Sequence, residues 1–209
     1  MIRDLYEEQH LAFGSAFKDF MQTEVAPHHA AWEAQGYVDR DLWLKAGARG
    51  FLAMDAEPAY GGQGLTDFRY NAILVETQAR LFLSGPMFSL GTDVVIPYIN
   101  HYANDEQKRR WLPKLISGQW ISCIGMSEPE TGSDLASIQT TAIDHGDHYR
   151  VNGTKFWISN GHLSSLIVLV CKTDPALRHR GISLLVLERE QQPYETVQIL
   201  QKMGYLARD

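Results

Sequence analysis

Apolar residues in the first half of the chain return every three or four positions. Phe13, Phe17, Phe20 and Met21 fall on one face of a helix, and Tyr70, Leu74, Thr77 and Leu81 fall on one face of another. The punctuation agrees. Asp39 and Thr66 stand where they can cap the segments that follow, and Asn104 stands three residues before Gln107, an amide variant of the capping box. Pro113, inside the last helical stretch, predicts a kink or a broken turn. The connector from Pro58 to Gly64 is too glycine-rich for a regular element and reads as a surface loop between helices.

From Trp120 onward the period shortens and β-branched residues become frequent. Ile121 to Met126 is a short apolar run, and Ile138, Thr140 and Ala142 alternate with their neighbours. Tyr149 and Val151 lead into Asn152-Gly153, a strong two-residue hairpin signal, which predicts Phe156 to Ser159 as the returning strand. Leu166 to Cys171 and Ile182 to Leu187 are almost wholly apolar, the pattern of strands buried on both faces. The basic, proline-containing segment Lys172 to Arg180 joins them as a loop. No internal repeat or low-complexity tract interrupts this order.

At 209 residues and 44% hydrophobic content the chain can bury a substantial core, divided between two small domains. A formal charge of -6, with Lys and Arg dispersed, argues against a nucleic-acid or anionic-membrane surface. Cys123 and Cys171 both lie inside apolar runs, as packed thiols of a reduced compartment do. The start, Met1 to Leu5, has neither the apolar block of a signal peptide nor the basic amphipathic character of a transit peptide. No run reaches membrane-spanning length. A cytoplasmic protein is the resulting expectation.

Two hydroxyl-rich loops carry the candidate chemistry: Ser127 to Asp134, and Trp157 to Gly161. Ser127 and Ser159 can donate to and accept from the edge of a flat polar ring, and the Trp157 indole offers apolar surface for its face. A flavin fits that description. The local alternatives stand beside it. Pro129, Gly132, Ser133 and Asp134 also suit a structural turn, with Asp134 as a turn or cap residue, and Trp157 also suits a core. His28-His29, His145 with His148, His162 and His179 have no acidic or thiol partners at metal-like spacing. A Ser-His-Asp hydrolase lacks a nucleophile elbow, and no G-x-G-x-x-G opens a helix after a strand.

Taken together, the loops resemble the paired signatures of the acyl-CoA dehydrogenase family. Its [ST]-E-P-x-x-G-S-D motif stands at Ser127 to Asp134, and N-G-x-K-x-[WF]-I-[ST]-N-G stands at Asn152 to Gly161. The likeness extends to Pro58 to Gly62, to Asp105 to Lys108 with Trp111 to Pro113, and to Lys202 to Asp209, so it covers essentially the whole chain. It implies an α+β fold: an all-α domain over 1–119, then a barrel- or sandwich-like β domain over 120–209, with the family's C-terminal four-helix domain absent from this chain. It also implies FAD as cofactor. Ile124, Met126, Ser127, Gly132, Ser133, Trp157, Ile158 and Ser159 are the positions implied to meet the flavin, with Ser133 also meeting the CoA portion of a substrate.

The activity implied is α,β-dehydrogenation of an acyl-CoA thioester to the trans-2-enoyl product, with an electron-transfer flavoprotein as acceptor and a homo-oligomer at full length. No glutamate here matches the family's base, so no catalytic residue is assigned within the chain, and Glu128 is given a structural place in its loop. An acyl-CoA oxidase of the same architecture is an alternative, as is a non-catalytic fragment or subunit completed by a partner chain. Glu130 and Thr131 depart from the small residues many members carry, and are expected near the ligand edge. Ser89 to Asp93, Ser159 to Gly161 and Lys202 to Gly204 look closer to long-chain members.

Overall fold

The computed structural model describes residues 4–209. The start of the chain at Met1 to Arg3, part of the leader reading, lies outside the described residues. Two compact units are present. One runs to Ile121 and takes in Gln201–Asp209, and the other is Ser122–Leu200.

The first unit is helical. Helix α1 (Glu8–Phe20) continues into a π-helical turn, Met21–Val25, and is followed by α2 (His29–Gln35) and α3 (Asp41–Ala48). Next come α4 (Arg69–Leu81), α5 (Ile96–Tyr102) and α6 (Asp105–Ile116). The expected face of α1 is the buried one, with Phe17 and Met21 0% exposed and Phe20 1%. Rings interlock edge to face behind it: Phe17 meets Phe51 at 5.0 Å and 75°, and Trp43 meets Phe88 at 5.6 Å and 74°.

Helix α4 forms where expected, but it buries a different stripe. Asn71, Ile73, Leu74 and Gln78 point inward, whereas Tyr70 and Thr77 are only partly covered. Two buried amides explain the rotation. Asn71 Nδ2 donates to Asp93 at 2.6 Å, and Gln78 Nε2 donates to the Pro86 carbonyl at 2.7 Å. Each amide is satisfied and so tolerates the interior, which hydrophobic periodicity cannot register.

Of the capping expectations, the one at Asn104 is met in full. Its side chain accepts from Gln107 N at 2.9 Å, and Gln107 Oε1 accepts from Asn104 N at 2.9 Å. Asp39 makes no cap and instead accepts from Gln35 Nε2 at 3.1 Å. Asp67, not Thr66, takes the first free amide of α4, from Arg69 N at 3.0 Å. Pro113 does not break α6, which runs on to Ile116. Near the last turn the proline forfeits one hydrogen bond, to the carbonyl of exposed Arg109, where water can replace it. The 58–64 connector is a surface turn as expected, built on a short 3-10 segment, Pro58–Tyr60, with Gly61 at φ 92°.

The C-terminal stretch belongs to this unit. Arg208 Nε donates to the Ser84 carbonyl at 2.8 Å, and Ala207 is 1% exposed.

The second unit is a five-stranded mixed sheet. Its strands are β1 (Ser122–Gly125), β2 (Thr141–Asp144), β3 (Tyr149–Asn152), β4 (Leu166–Lys172) and β5 (Ile182–Glu188). Strand β4 is central. One side of it pairs antiparallel with β5 along its whole length. The other side pairs parallel with β1 at its start, Ser122 opposite Leu166, and with β2 at its end, Thr141 opposite Lys172.

The expected barrel or sandwich is therefore corrected to an open sheet. Among the described residues β3 pairs with β2 alone and β5 with β4 alone, so no ladder closes the cylinder. The burial of β4 on both faces follows its apolar run, while β5, at an edge, is mostly half-covered.

The Asn152-Gly153 hairpin does not form. Strands β2 and β3 make the hairpin instead, reversing where His145 N donates to the His148 carbonyl at 2.9 Å, and residues 154–165 are not a strand. Gly153 serves another need. A Cβ there would lie 2.7 Å from Thr140 Cα, so only glycine lets the two backbones pass.

Replacing Asn104 with Ala removes the side-chain acceptor for Gln107 N, leaves the backbone bond to Gln107 Oε1 in place, and is expected to lower stability by about 1 kcal/mol. The measurement is a reduced urea midpoint with unchanged slope. Gly118→Ala is expected to cost more, because Gly118 sits at φ 73° and its Cβ would fall 2.0 Å from the Trp43 carbonyl oxygen.

Candidate functional site

Strand β1 delivers the first loop from the interior to the surface. Ile124 is 9% exposed, Met126 and Ser127 are half-buried, and the chain then reverses tightly. Glu128 N donates to the Thr131 carbonyl at 2.9 Å and Thr131 N donates back to the Glu128 carbonyl at 3.1 Å, leaving Pro129 and Glu130 exposed at the tip. Thr131, one of the two departures from small residues, turns inward. It is 4% exposed and its hydroxyl donates to the Ser137 carbonyl at 3.2 Å. Asp134 takes the Ser137 hydroxyl at 2.5 Å, a turn contact, while Gly132 and Ser133 are exposed.

Under this reversal lies a buried ion pair. The Glu128 and Lys155 side chains are 4% and 9% exposed and meet at 2.8 Å. The same carboxylate accepts from Thr140 N at 3.0 Å and from Gln139 N, and Lys155 Nζ also donates to the Met126 carbonyl at 3.0 Å. Burial pushes the Glu128 carboxyl up, but the Lys155 ammonium and the donors from Gln139 and Thr140 outweigh it and hold the group at about 2. It is ionised at neutral pH and has no proton to exchange.

The pair joins the two loops. One residue beyond Lys155, Phe156 N donates to the Ser127 carbonyl at 2.9 Å, so the start of the second loop runs beside the start of the first. Trp157 follows with φ 59° and 59% exposure. It is not core. A bulky side chain held in the left-handed region costs on the order of 1–2 kcal/mol, and such strain concentrates at functional sites. Asn160, at φ 61° and 3% exposed, closes the turn, with Gly161 N donating to the Ile158 carbonyl at 3.0 Å.

Ser127, Phe156 and Trp157 are thus brought together by backbone pairing, and Ile158 and Ser159 follow half-buried in the same turn. Among the described residues the hydroxyls of Ser127, Ser133 and Ser159 have no protein partner, so their donors are available to a ligand. A Cβ on Gly132 would meet nothing within 4 Å, so this stretch of loop faces open space. The Ser127 and Ser159 hydroxyls, on the segments joined beside the outward-turned indole, form a donor set suited to the edges of a polar aromatic ring, while Ser133 lies on the exposed stretch beyond the Glu128–Thr131 reversal. Lys155 and Arg189, which hold these loops, were not among the expected site residues. Lys155 lies inside the second motif, whereas nothing local marks Arg189. No group of three or more metal-ligating side chains occurs among the described residues.

A helical unit followed by a mixed sheet that carries the two signature loops defines the class. The family description "Acyl-CoA dehydrogenase, N-terminal domain" matches residues 7–119, and "Acyl-CoA dehydrogenase, middle domain" matches residues 123–209. The chain belongs to the acyl-CoA dehydrogenase family, of which FAD is the typical cofactor.

The long-chain specific acyl-CoA dehydrogenase of Sus scrofa is 39% identical, over 100% of this chain and 49% of its own length. The isovaleryl-CoA dehydrogenase of Oryza sativa subsp. japonica is 32% identical, over 98% and 51%. Among solved structures, an acyl-CoA dehydrogenase from Geobacillus kaustophilus superposes with a TM-score of 0.92 at 42% identity, over 100% of this chain and 55% of that one. A glutaryl-CoA dehydrogenase from Mycobacterium smegmatis in complex with FADH2 gives 0.83 at 26%, over 98% and 51%. The chain spans about half the length of the curated relatives it matches.

One expectation is overturned by these relatives. The long-chain and isovaleryl enzymes are mitochondrial proteins, against the cytoplasmic assignment. Two buried thiols suit any reducing compartment, and an import address is carried by a leader rather than by the fold. Separately, no described helix is long and apolar enough to cross a membrane.

Acid titration tests the ion pair. Glu128 ordinarily titrates at 4.5 and in the fold at about 2, so its contribution is complete above 4.5 and is lost as pH falls through 2. Glu128→Gln is expected to flatten the loss of stability across that window, by up to about 3 kcal/mol in urea unfolding at successive pH values. An equal slope in both proteins would contradict it.

Proposed function

We propose that this chain supplies a flavin- and acyl-CoA-binding portion of an FAD-dependent acyl-CoA dehydrogenase, and that turnover requires a complementing portion carrying the base. The observation that carries the reading is the exposed, left-handed Trp157 held beside Ser127 by the Phe156 N to Ser127 O bond. The span of about half the relatives' length motivates the complementing portion, in the same polypeptide or a partner.

When bound, FAD supplies the hydride acceptor for the β-carbon of a thioester whose α-proton goes to a base, leaving a trans-2-enoyl product. The chain's own residues hold and orient. Ser127, beside Met126 at the end of β1, donates to the ring's pyrimidine edge, with Ile124 supporting the strand beneath. Ser159 donates near N5, where a hydrogen bond favours reduction, and Trp157 with Ile158 covers the ring and excludes water. Gly132 lets a ligand approach the backbone, and Ser133 meets the CoA portion. Glu128 is no base, since Lys155 and two backbone amides occupy it. An electron-transfer flavoprotein takes the electrons onward, and the complete protein is a homo-oligomer. The higher identity to long-chain than to isovaleryl relatives favours long acyl chains.

Flavin titration and reduction test this. The full-length gene product is expected to purify yellow and to bleach anaerobically with a long-chain acyl-CoA, whereas the 209-residue chain alone should bind FAD weakly and turn over nothing. A colourless full-length protein that no acyl-CoA affects would sink the reading. Stoichiometric peroxide release during turnover would assign an oxidase instead.

A further inference from the structure

Arg189 stands outside both signature loops, just past the end of β5, yet its side chain reaches back to the second. Nη1 donates to the His162 carbonyl at 2.8 Å and Nη2 to the Gly161 carbonyl at 2.7 Å, with Thr196 Oγ1 at 3.4 Å. The guanidinium lies over the Tyr194 ring, 4.4 Å from its centroid. Tyr194 Oη shares a 2.7 Å hydrogen bond with Ser164 Oγ, and Ser164 Oγ donates to the Gly161 carbonyl at 3.1 Å. On the other side of the turn, Asn160 Nδ2 donates to the Ser122 carbonyl at 3.4 Å.

The segment from Ile158 to His162 is therefore tied at one flank to β1 and at the other to Arg189. Two adjacent carbonyls gripped by one planar fork cannot rotate independently, and a lysine, with its single ammonium, could not reproduce that geometry. The arrangement leaves the Arg189 Nε–H buried without a partner among the described residues. That cost is unusual for a mere chain reversal, which needs no charged group beneath it.

We infer that Arg189 is a positioning residue for the flavin-edge turn. By fixing the Gly161 and His162 carbonyls it sets the Ser159 hydroxyl and the Trp157 indole in the arrangement that meets the ring. The inference rests on the flavin reading of the site, and it assigns the turn a support in a part of the chain that no motif marks.

The test compares full-length wild type, Arg189→Lys and Tyr194→Phe. In Arg189→Lys the dissociation constant for FAD is expected to rise about tenfold, the equivalent of one charge-assisted hydrogen bond. The flavin's visible band and midpoint potential are expected to shift with it. Tyr194→Phe keeps the ring beneath the guanidinium and loses only the contact to Ser164, so it should shift all three less than Arg189→Lys does. Hydrogen exchange without flavin supplies the independent arm: amides 158–163 should exchange faster in Arg189→Lys, with β1, β4 and β5 unaffected.

Wild-type exchange over 158–163, or wild-type flavin affinity and spectrum, in Arg189→Lys would overturn the inference. So would acceleration spread evenly through the sheet in both variants, the mark of general destabilisation. A wild-type protein that binds no FAD would remove the flavin reading, while the exchange comparison still decides whether Arg189 holds the turn.

Discussion

A carboxylate taken out of water must be met by donors, and Glu128 is met by a lysine ammonium and two consecutive backbone amides. The amide pair and the lysine come from two different parts of the sheet unit, so satisfying one charge brings three segments, with that of Glu128 itself, to one place. The 128–131 reversal, the 139–140 strand entry and the 155–157 segment cannot drift apart without stranding it. The value of such a pair lies less in net stability, since apolar substitutes of like volume are often as stable, than in fixing which backbone lies against which. Register follows from it. With Lys155 held, Phe156 N finds the Ser127 carbonyl, and Trp157 is turned outward.

Much of the architecture was legible wherever the determinant is local. The inward face of α1 follows from the spacing of Phe17, Phe20 and Met21, and the Asn104 cap from two residues three apart. Strand β4 follows from an unbroken apolar run. Misreadings arose where a distant residue decided the outcome. Asn71 and Gln78 rotate α4 because Asp93 and the Pro86 carbonyl satisfy them, and Asn152-Gly153 forgoes a hairpin because Asn152 stays paired with Thr141 and Gly153 runs on past Thr140. The closed barrel failed for a related cause: strand number and type can be inferred from period, but closure depends on which edges meet.

The site shows the same division. The loops that bear Ser127 and Ser159 were visible as motifs, because hydroxyl, glycine and indole cluster within a few positions. Glu128 and Lys155 lie inside those motifs, but their pairing was not visible, and Arg189 lies outside both. Glu128 and Lys155 are 27 positions apart, and Arg189 reaches Gly161 across 28. Neither pairing leaves a mark in composition or period. Compartment was illegible for a different reason, since buried thiols report redox conditions rather than address.

The outward turn of Trp157 has an optical consequence. The other four tryptophans, Trp32, Trp43, Trp111 and Trp120, are 4%, 4%, 7% and 7% exposed, against 59% for this one. A water-soluble quencher therefore reaches one emitter and leaves four shielded, so collisional quenching reads a single residue in a five-tryptophan chain. The molecule carries its own fluorescent gauge in the turn proposed to meet the flavin, whose absorption would dim it.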